Sequence, residues 1–390
     1  MFLQVHFLTS YHATLLNRDD AGLAKRIAFG GSPRLRVSSQ CQKRHWREWM
    51  FSQTSLPTGV RSRHFFDRVV KRELVDGGMD AAYAHELVFH LGNAVLHSAS
   101  SKEGLTKDTL AMSQPVLFGR PEAEYFVSVI REAARRGDAS AAKSYIDDTV
   151  TEAKRNFKAM LRQSGTNEPA VGFEGAMFGR FVTSDILSRV DAPVHVAHAF
   201  TTHALDTEVD FFTVVDDLAE VEETGAAHAN DMELGAGLFY GYVAVDVPLL
   251  VSNLSGCDPK EWRDGDVESA RRLLELLVTA AAEVSPGAKL GATAPYARAE
   301  CVLLEVGDEQ PRSLANAFLK AIPLRHGGDA MRESVEAMSN YVEALDRMYG
   351  AGAVTRFVAT LHPWPAGLGT SATFQASVTQ ALDALFGAPR

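Results

Sequence analysis

The strand-like segments of this chain are few and far apart, and that spacing limits its fold more than any other feature. Phe2–Thr9 is short, apolar and followed by a polar loop, which predicts a first strand. Gly237–Val247 (GLFYGYVAVDV) and Glu300–Val306 (ECVLLEV) read as further strands, and neither is near the first in sequence. From about residue 64 to 163 the pattern is mostly helical, with apolar residues three and four apart in Ala123–Arg136 and Ala139–Leu161. The leucines and alanines of Asp266–Val284 suit a packed helix, and helices over Asp329–Met348 and Ser371–Phe386 close the chain. Strands parted by long helical or irregular insertions predict an embellished α+β core.

A chain of 390 residues exceeds one average domain, so one large domain with insertions, or two domains, is expected. No stretch approaches the roughly eighteen consecutive apolar residues that span a bilayer. The amino end has neither a basic segment nor a small-residue cleavage site, so it reads as a strand, not a signal peptide, and no membrane partner is expected. Cys41, Cys257 and Cys301 lie far apart without paired spacing. That argues against a disulfide framework or a zinc site and fits a reducing, cytoplasmic setting.

Charge is distributed unevenly. Residues 18–72 hold thirteen Lys or Arg against four acids, a balance of +9 in a chain of net charge −10, so the remainder carries −19. Such asymmetry predicts a polyanion-binding face on an acidic body. The basic residues concentrate in Asn17–Arg47, NRDDAGLAKRIAFGGSPRLRVSSQCQKRHWR. Lys25, Arg26, Arg34 and Arg36 are suited to neutralising phosphates, the arginines through paired hydrogen bonds. Gly30 and Gly31, in the turn signal Gly30–Gly31–Ser32–Pro33, let a main chain approach closely. Ser39 is expected to start a helix, with Gln42 completing a capping box. Ser38, Ser39 and Gln40 then lie at a helix N-terminus, where N–H groups attract anions. Lys43 and Arg47, four apart, share a face of that helix, and Arg44 adds to its charge.

The string LNRDD, FGG and R-x-R-V-S-S-Q-x-x-K-R resembles the amino-terminal signature of the CasC-type backbone subunit (Cas-seven family) of Cascade, the type I-E CRISPR surveillance complex. A second stretch, Gly179–Arg180–Phe181 with Thr183–Ser184 and then Val194–Leu218, is similar to the segment supplying that family's thumb. Pro286–Lys289 and Ser313–Phe318 form a third, weaker match. The resemblance implies a modified RNA-recognition-motif (ferredoxin-like) palm, at 1–60 and 170–390, with a thumb hairpin at about 194–230 and a helical finger insertion at 61–169. It implies a non-catalytic protein without cofactor, several copies of which stack along a guide crRNA, bury its backbone and leave bases to pair with target DNA. Arg18, Lys25, Ser38, Gln40, Lys43, Arg44 and Arg47 would bind guide phosphates. Phe181, Phe211, Phe212 and Thr213 would wedge bases aside, and Arg180 and His203 belong to the same RNA-binding set. The other implied partners are the large, small and guide-end-capping Cascade subunits and, indirectly, a helicase-nuclease. A basic track with aromatic stacking is also what single-stranded RNA requires physically.

Three other features have plainer readings. On a strand His195 and His198 would face opposite sides, and no cysteine or carboxylate pattern completes a metal set around them and His203. Asp19 and Asp20 invite comparison with the metal-dependent ribonucleases of related type III backbone subunits, but they lie among cations. Pairing with Arg18, Lys25 or Arg26 is the expectation. Gly235–Gly241 opens a strand and has the wrong spacing for a dinucleotide fingerprint.

Overall fold

The computed structural model describes residues 1–97, 104–163, 171–180, 187, 189–214, 228–287, 293–350 and 352–388. By contact the chain divides into two compact units, one comprising Met1–Thr54, His195–Asp246 and Arg271–Arg390, the other Ser55–Val194 and Val247–Ala270. The fold is mixed α+β.

The first unit is organised by strand β1, Phe2–Thr14, which runs beyond the expected Thr9. It sits between two antiparallel partners, Cys301–Gly307 on one side and His228–Asp246 on the other. The sheet continues outward from Cys301–Gly307 through Thr355–Thr360 to Thr370–Ser371. On the other flank it passes from His228–Asp246 through Ala199–Thr201 to β3, Ser32–Val37, and β2, Arg26–Phe29. A central position buries both faces of β1, so Leu3 to Thr9 are all buried. Apolar side chains fill most of that space: Leu8 packs with Phe200, Tyr240, Leu303 and Phe318. Gly241 lies opposite Phe7 in the register, and a side-chain carbon there would collide with the Phe7 ring.

The polar residues of β1 are buried too, and they require partners. His6 bonds through Nδ1 to the Tyr240 hydroxyl at 2.9 Å and through Nε2 to Glu305 at 3.2 Å. Glu305, fully buried, also accepts from Arg356 Nε at 2.7 Å and from both terminal nitrogens of Arg312 at 3.2 Å. Arg356 in turn makes a two-pronged pair with Asp346 at 2.6 and 2.7 Å. Burial pushes the Glu305 carboxyl up, but hydrogen bonds from His6 and Arg356 and the nearby charge of Arg312 outweigh it and hold the group at about 2. Desolvation lowers His6, so its ring is neutral, donating from Nε2 and accepting at Nδ1.

The second unit is largely helical, with helices over Ala81–Leu96, Arg120–Ala134 and Ala139–Gln163 and a short strand pair, Val60–Ser62 with Val116–Phe118. Its core is aromatic: Phe65 stacks on Phe118 with centroids 4.0 Å apart, and Phe66 and Phe126 surround the pair. Contact places residues 55–60, 170–194 and 247–270 in this unit as well, beyond the 61–169 of the expected finger. Among the described residues, no helix is long and apolar enough to cross a membrane.

Candidate nucleic-acid interface

The basic segment folds as a hairpin followed by a helix. Strands β2 and β3 pair antiparallel from Arg26↔Leu35 to Phe29↔Ser32, and Gly30 and Gly31 make the turn with φ of 57° and 78°. Two successive positive φ angles are the requirement of the tight hairpin turn that glycine meets without strain. At the base of the hairpin the Arg36 N–H donates to the Lys25 carbonyl at 2.8 Å, placing these two cations side by side.

Helix α1, Ser39–Gln53, starts directly after β3. Its N-cap is Ser38, whose Oγ accepts from the Cys41 N–H at 3.2 Å while its own N–H donates to Asn17 at 2.9 Å. The expected box of Ser39 and Gln42 is therefore shifted. Gln42 instead turns inward and donates to the carbonyls of Val37 and Ala197. Gln42, Trp46 and Met50 form the buried stripe at four-residue spacing, which leaves Gln40 and Arg44 exposed and Lys43 and Arg47 half-buried. Arg44 pairs with Glu48 at 2.9 Å, an exposed i,i+4 bridge worth little and easily exchanged. No acidic residue occupies the first turn of α1 to compete for an anion.

His198 gathers these groups. Its Nδ1 accepts from the Ser39 N–H at 3.0 Å and lies 3.5 Å from an Arg36 guanidinium nitrogen. Partial burial, then the charges of Arg36, Lys25 and Lys43, lower the imidazole from its ordinary value, so it remains a neutral acceptor. Three cations thus converge on one helix N-terminus. Arg18 is exposed beside them, in a bridge with Ala24.

Other expected contacts have different work. Arg34 is 0% exposed, its guanidinium donating to the carbonyls of Thr201, Thr202, His203 and Phe318 at 2.7–3.3 Å. It staples the hairpin to two neighbouring segments and has no surface for a phosphate. Arg180 is likewise buried, paired with Glu122 at 2.8 Å and bonded to the Leu117 carbonyl. His203 is buried, accepting from the Leu238 N–H and bonding to the Ala204 carbonyl, and burial lowers its pKa. These three residues hold the fold. Ser38 serves as a cap. Arg26 is half-exposed but paired with Glu233, which also accepts from the Ala24 N–H at 2.8 Å. Asp19 is not paired with its basic neighbours as expected. Its Oδ1 accepts from the N–H groups of Ala21 and Leu23, closing the loop before β2.

The thumb segment is a hairpin in part: Thr207–Val214 pairs antiparallel with His228–Asp246, setting Phe211, Phe212 and Thr213 opposite Asp231, Asn230 and Ala229. The side chains of these three, the hairpin tip at 215–227, and Phe181 with Thr183 and Ser184 lie outside the described residues, as do Ala288 and Lys289. Among the described residues, no three His, Cys, Asp or Glu side chains cluster as metal ligands.

Sequence reading missed His198 as the organiser and Glu233 as the partner of Arg26, because both meet the basic segment only across the folded sheet.

The profile of the CT1975-like protein family, a CRISPR-associated family, matches residues 3–386. The chain belongs to that family. Among solved structures it is similar to a chain of a CRISPR RNA-guided surveillance complex captured pre-nicking, with 26% identity and a TM-score of 0.79, covering 99% of this chain and 100% of that one. A chain of a second CRISPR RNA-guided surveillance complex shares the fold at 22% identity, with a TM-score of 0.72 over 98% of this chain and 100% of that one. Comparison with curated proteins finds no match.

Proposed function

We propose that this chain is a backbone subunit of a CRISPR surveillance complex of the type I-E branch, binding the guide crRNA along its phosphates and presenting its bases to target DNA. The convergence of Lys25, Arg36 and Lys43 on the α1 N-terminus carries the reading. Flexible cations at one edge of a rigid sheet, beside the positive end of a helix whose Ser39 and Cys41 N–H groups are taken by His198 and Ser38, hold a phosphate without reading a base. Arg18, Gln40, Arg44 and Arg47 extend that surface along the loop and helix. The unit bearing it has the RRM-like palm as its core, with the Thr207–Val214 hairpin as the thumb and the helical unit as the finger. Further copies polymerise along the same guide, the large, small and end-capping subunits complete the particle, and a helicase-nuclease acts on the opened target. The whole operates in the cytoplasm.

Replacing Lys43 and Arg47 together by Glu abolishes guide retention when the subunit is pulled down with crRNA at moderate salt. Unchanged retention overturns the assignment, since phosphate contacts supply most of the affinity of such a surface.

The subunit does not cut in this proposal. Asp19 has a structural task that supports that reading, since its Oδ1 closes the loop before β2 by accepting from the Ala21 and Leu23 N–H groups. The assembled complex given Mg²⁺ and complementary RNA leaves that RNA intact. Regular cuts lost in the Asp19→Ala, Asp20→Ala variant would establish a ribonuclease.

A further inference from the structure

At the far end of the β2–β3 hairpin from Lys25 and Arg36 lies a loop, 319–328, of sequence LKAIPLRHGG. Four residue pairs separate base from turn, about 13 Å at the rise of an extended strand. The loop is held against the hairpin at three points. Gly30, at φ 57°, has no side chain, and a Cβ there would collide with the Leu319 carbonyl. Arg34, buried in the hairpin, donates to the carbonyl of Phe318 at 2.9 Å. The Ile322 N–H donates to the Thr202 carbonyl at 3.0 Å, and Ile322 bridges His203. The backbone is therefore held in place, and several of the side chains it carries face solvent. Lys320, Leu324, Arg325 and His326 are exposed, and no carboxylate pairs with Lys320 or Arg325 among the described residues. Asp329, the acid that follows, is occupied as an N-cap, accepting from the Arg332 N–H at 2.9 Å.

Unpaired cations on an anchored loop, beside exposed Leu319 and Leu324, match a polyanion that also offers flat apolar faces. Single-stranded nucleic acid has both, in phosphates and bases. An acidic protein surface would want the cations but has less use for the leucines.

We propose that loop 319–328 is a second contact for the RNA strand, with Lys320 and Arg325 engaging phosphates beyond those held at α1 and Leu319 and Leu324 packing on sugar or base. Arg34 and Gly30 are its positioning residues: the buried arginine fails as a phosphate ligand because it sets the loop that supplies two others. The inference rests on the RNA-binding reading above, and its test separates the two.

The experiment titrates the full chain with a fluorescent 18-nucleotide oligouridylate between 0.05 and 0.4 M salt, following anisotropy. Two lost phosphate contacts predict that the Lys320→Ala, Arg325→Ala variant has a salt slope shallower by about 1.4, roughly a 25-fold weaker affinity at 0.1 M salt. Both positions are exposed, so its thermal midpoint stays that of the parent protein. A parental slope in this variant, alongside a reduced slope in Lys43→Ala, Arg47→Ala, overturns the second contact and leaves the first. Parental slopes in both overturn the RNA-binding reading itself. A reduced slope that returns in Lys320→Arg, Arg325→Lys confirms that charge, not local shape, is what the strand senses.

Discussion

Two clusters of basic residues in the same unit treat charge in opposite ways. Beneath β1, His6, Glu305, Arg312, Arg356 and Asp346 form a network in which each charged group meets a partner at hydrogen-bond distance. At the start of α1, Lys25, Arg36 and Lys43 crowd one imidazole and one helix end, and no acid occupies the first turn. The first arrangement neutralises its own charges inside the sheet, and the second gathers positive charge around a helix start at the surface. Both contain basic residues and a histidine, but the first includes the carboxylates Glu305 and Asp346 and is buried in the sheet, while the second lies nearer the surface.

The largest expected effect tests the satisfied side. Glu305→Ala leaves buried Arg356 and half-buried Arg312 without their shared carboxylate, and destabilises the fold by about 3–5 kcal/mol in urea denaturation. A loss below about 1 kcal/mol would mean the network is ornamental. The same group sets an acid limit. Its folded-state value of about 2 lies below its ordinary 4.5, so its contribution is complete above pH 4.5 and fades as pH falls toward 2. The contribution is of order 3 kcal/mol. Neutral His6 acts in the same direction from a higher pH, because the unfolded chain gains a proton below 6.5 that the buried ring resists. Denaturation midpoints measured from pH 7 to 3 therefore fall, and in Glu305→Gln the lower part of that fall is missing.

The smallest effect is at the start of α1. Lys25→Ala with Arg36→Ala leaves stability within about 0.5 kcal/mol of the parent or slightly above it, because the pair repel each other in the free protein. RNA affinity drops and its salt slope shallows in the same variant. A stability loss as large as that of Glu305→Ala would erase the contrast and place these cations in the architecture.

Much of the fold is legible along the chain, and the reason is local. The helices at 120–134, 139–163, 267–283, 330–349 and 374–386 follow apolar residues at three- and four-residue spacing, and the structure sets their ends within a few residues of that pattern. The Gly30–Gly31 turn and the start of α1 are equally local. Boundaries fare worse where a partner strand decides them. Strand β1 extends to Thr14 because His228–Asp246 continues alongside it, across a break in register after Tyr11, and nothing in YHAT announces that.

The site divides the same way. A surplus of positive charge, two glycines and a helix start occur together near the amino end, and all of these are readable along the chain because neighbours a few residues apart set them. Which cations face solvent is settled by long-range packing. Arg34 and Arg36 are two residues apart on one strand, yet Arg34 lies under the carbonyls of residues 201–203 and 318 while Arg36 reaches His198 at the sheet margin. Arg26 is claimed by Glu233, more than two hundred residues away in the chain. An arginine's role follows from what solvates it, and these solvating groups come from distant segments brought together by the sheet.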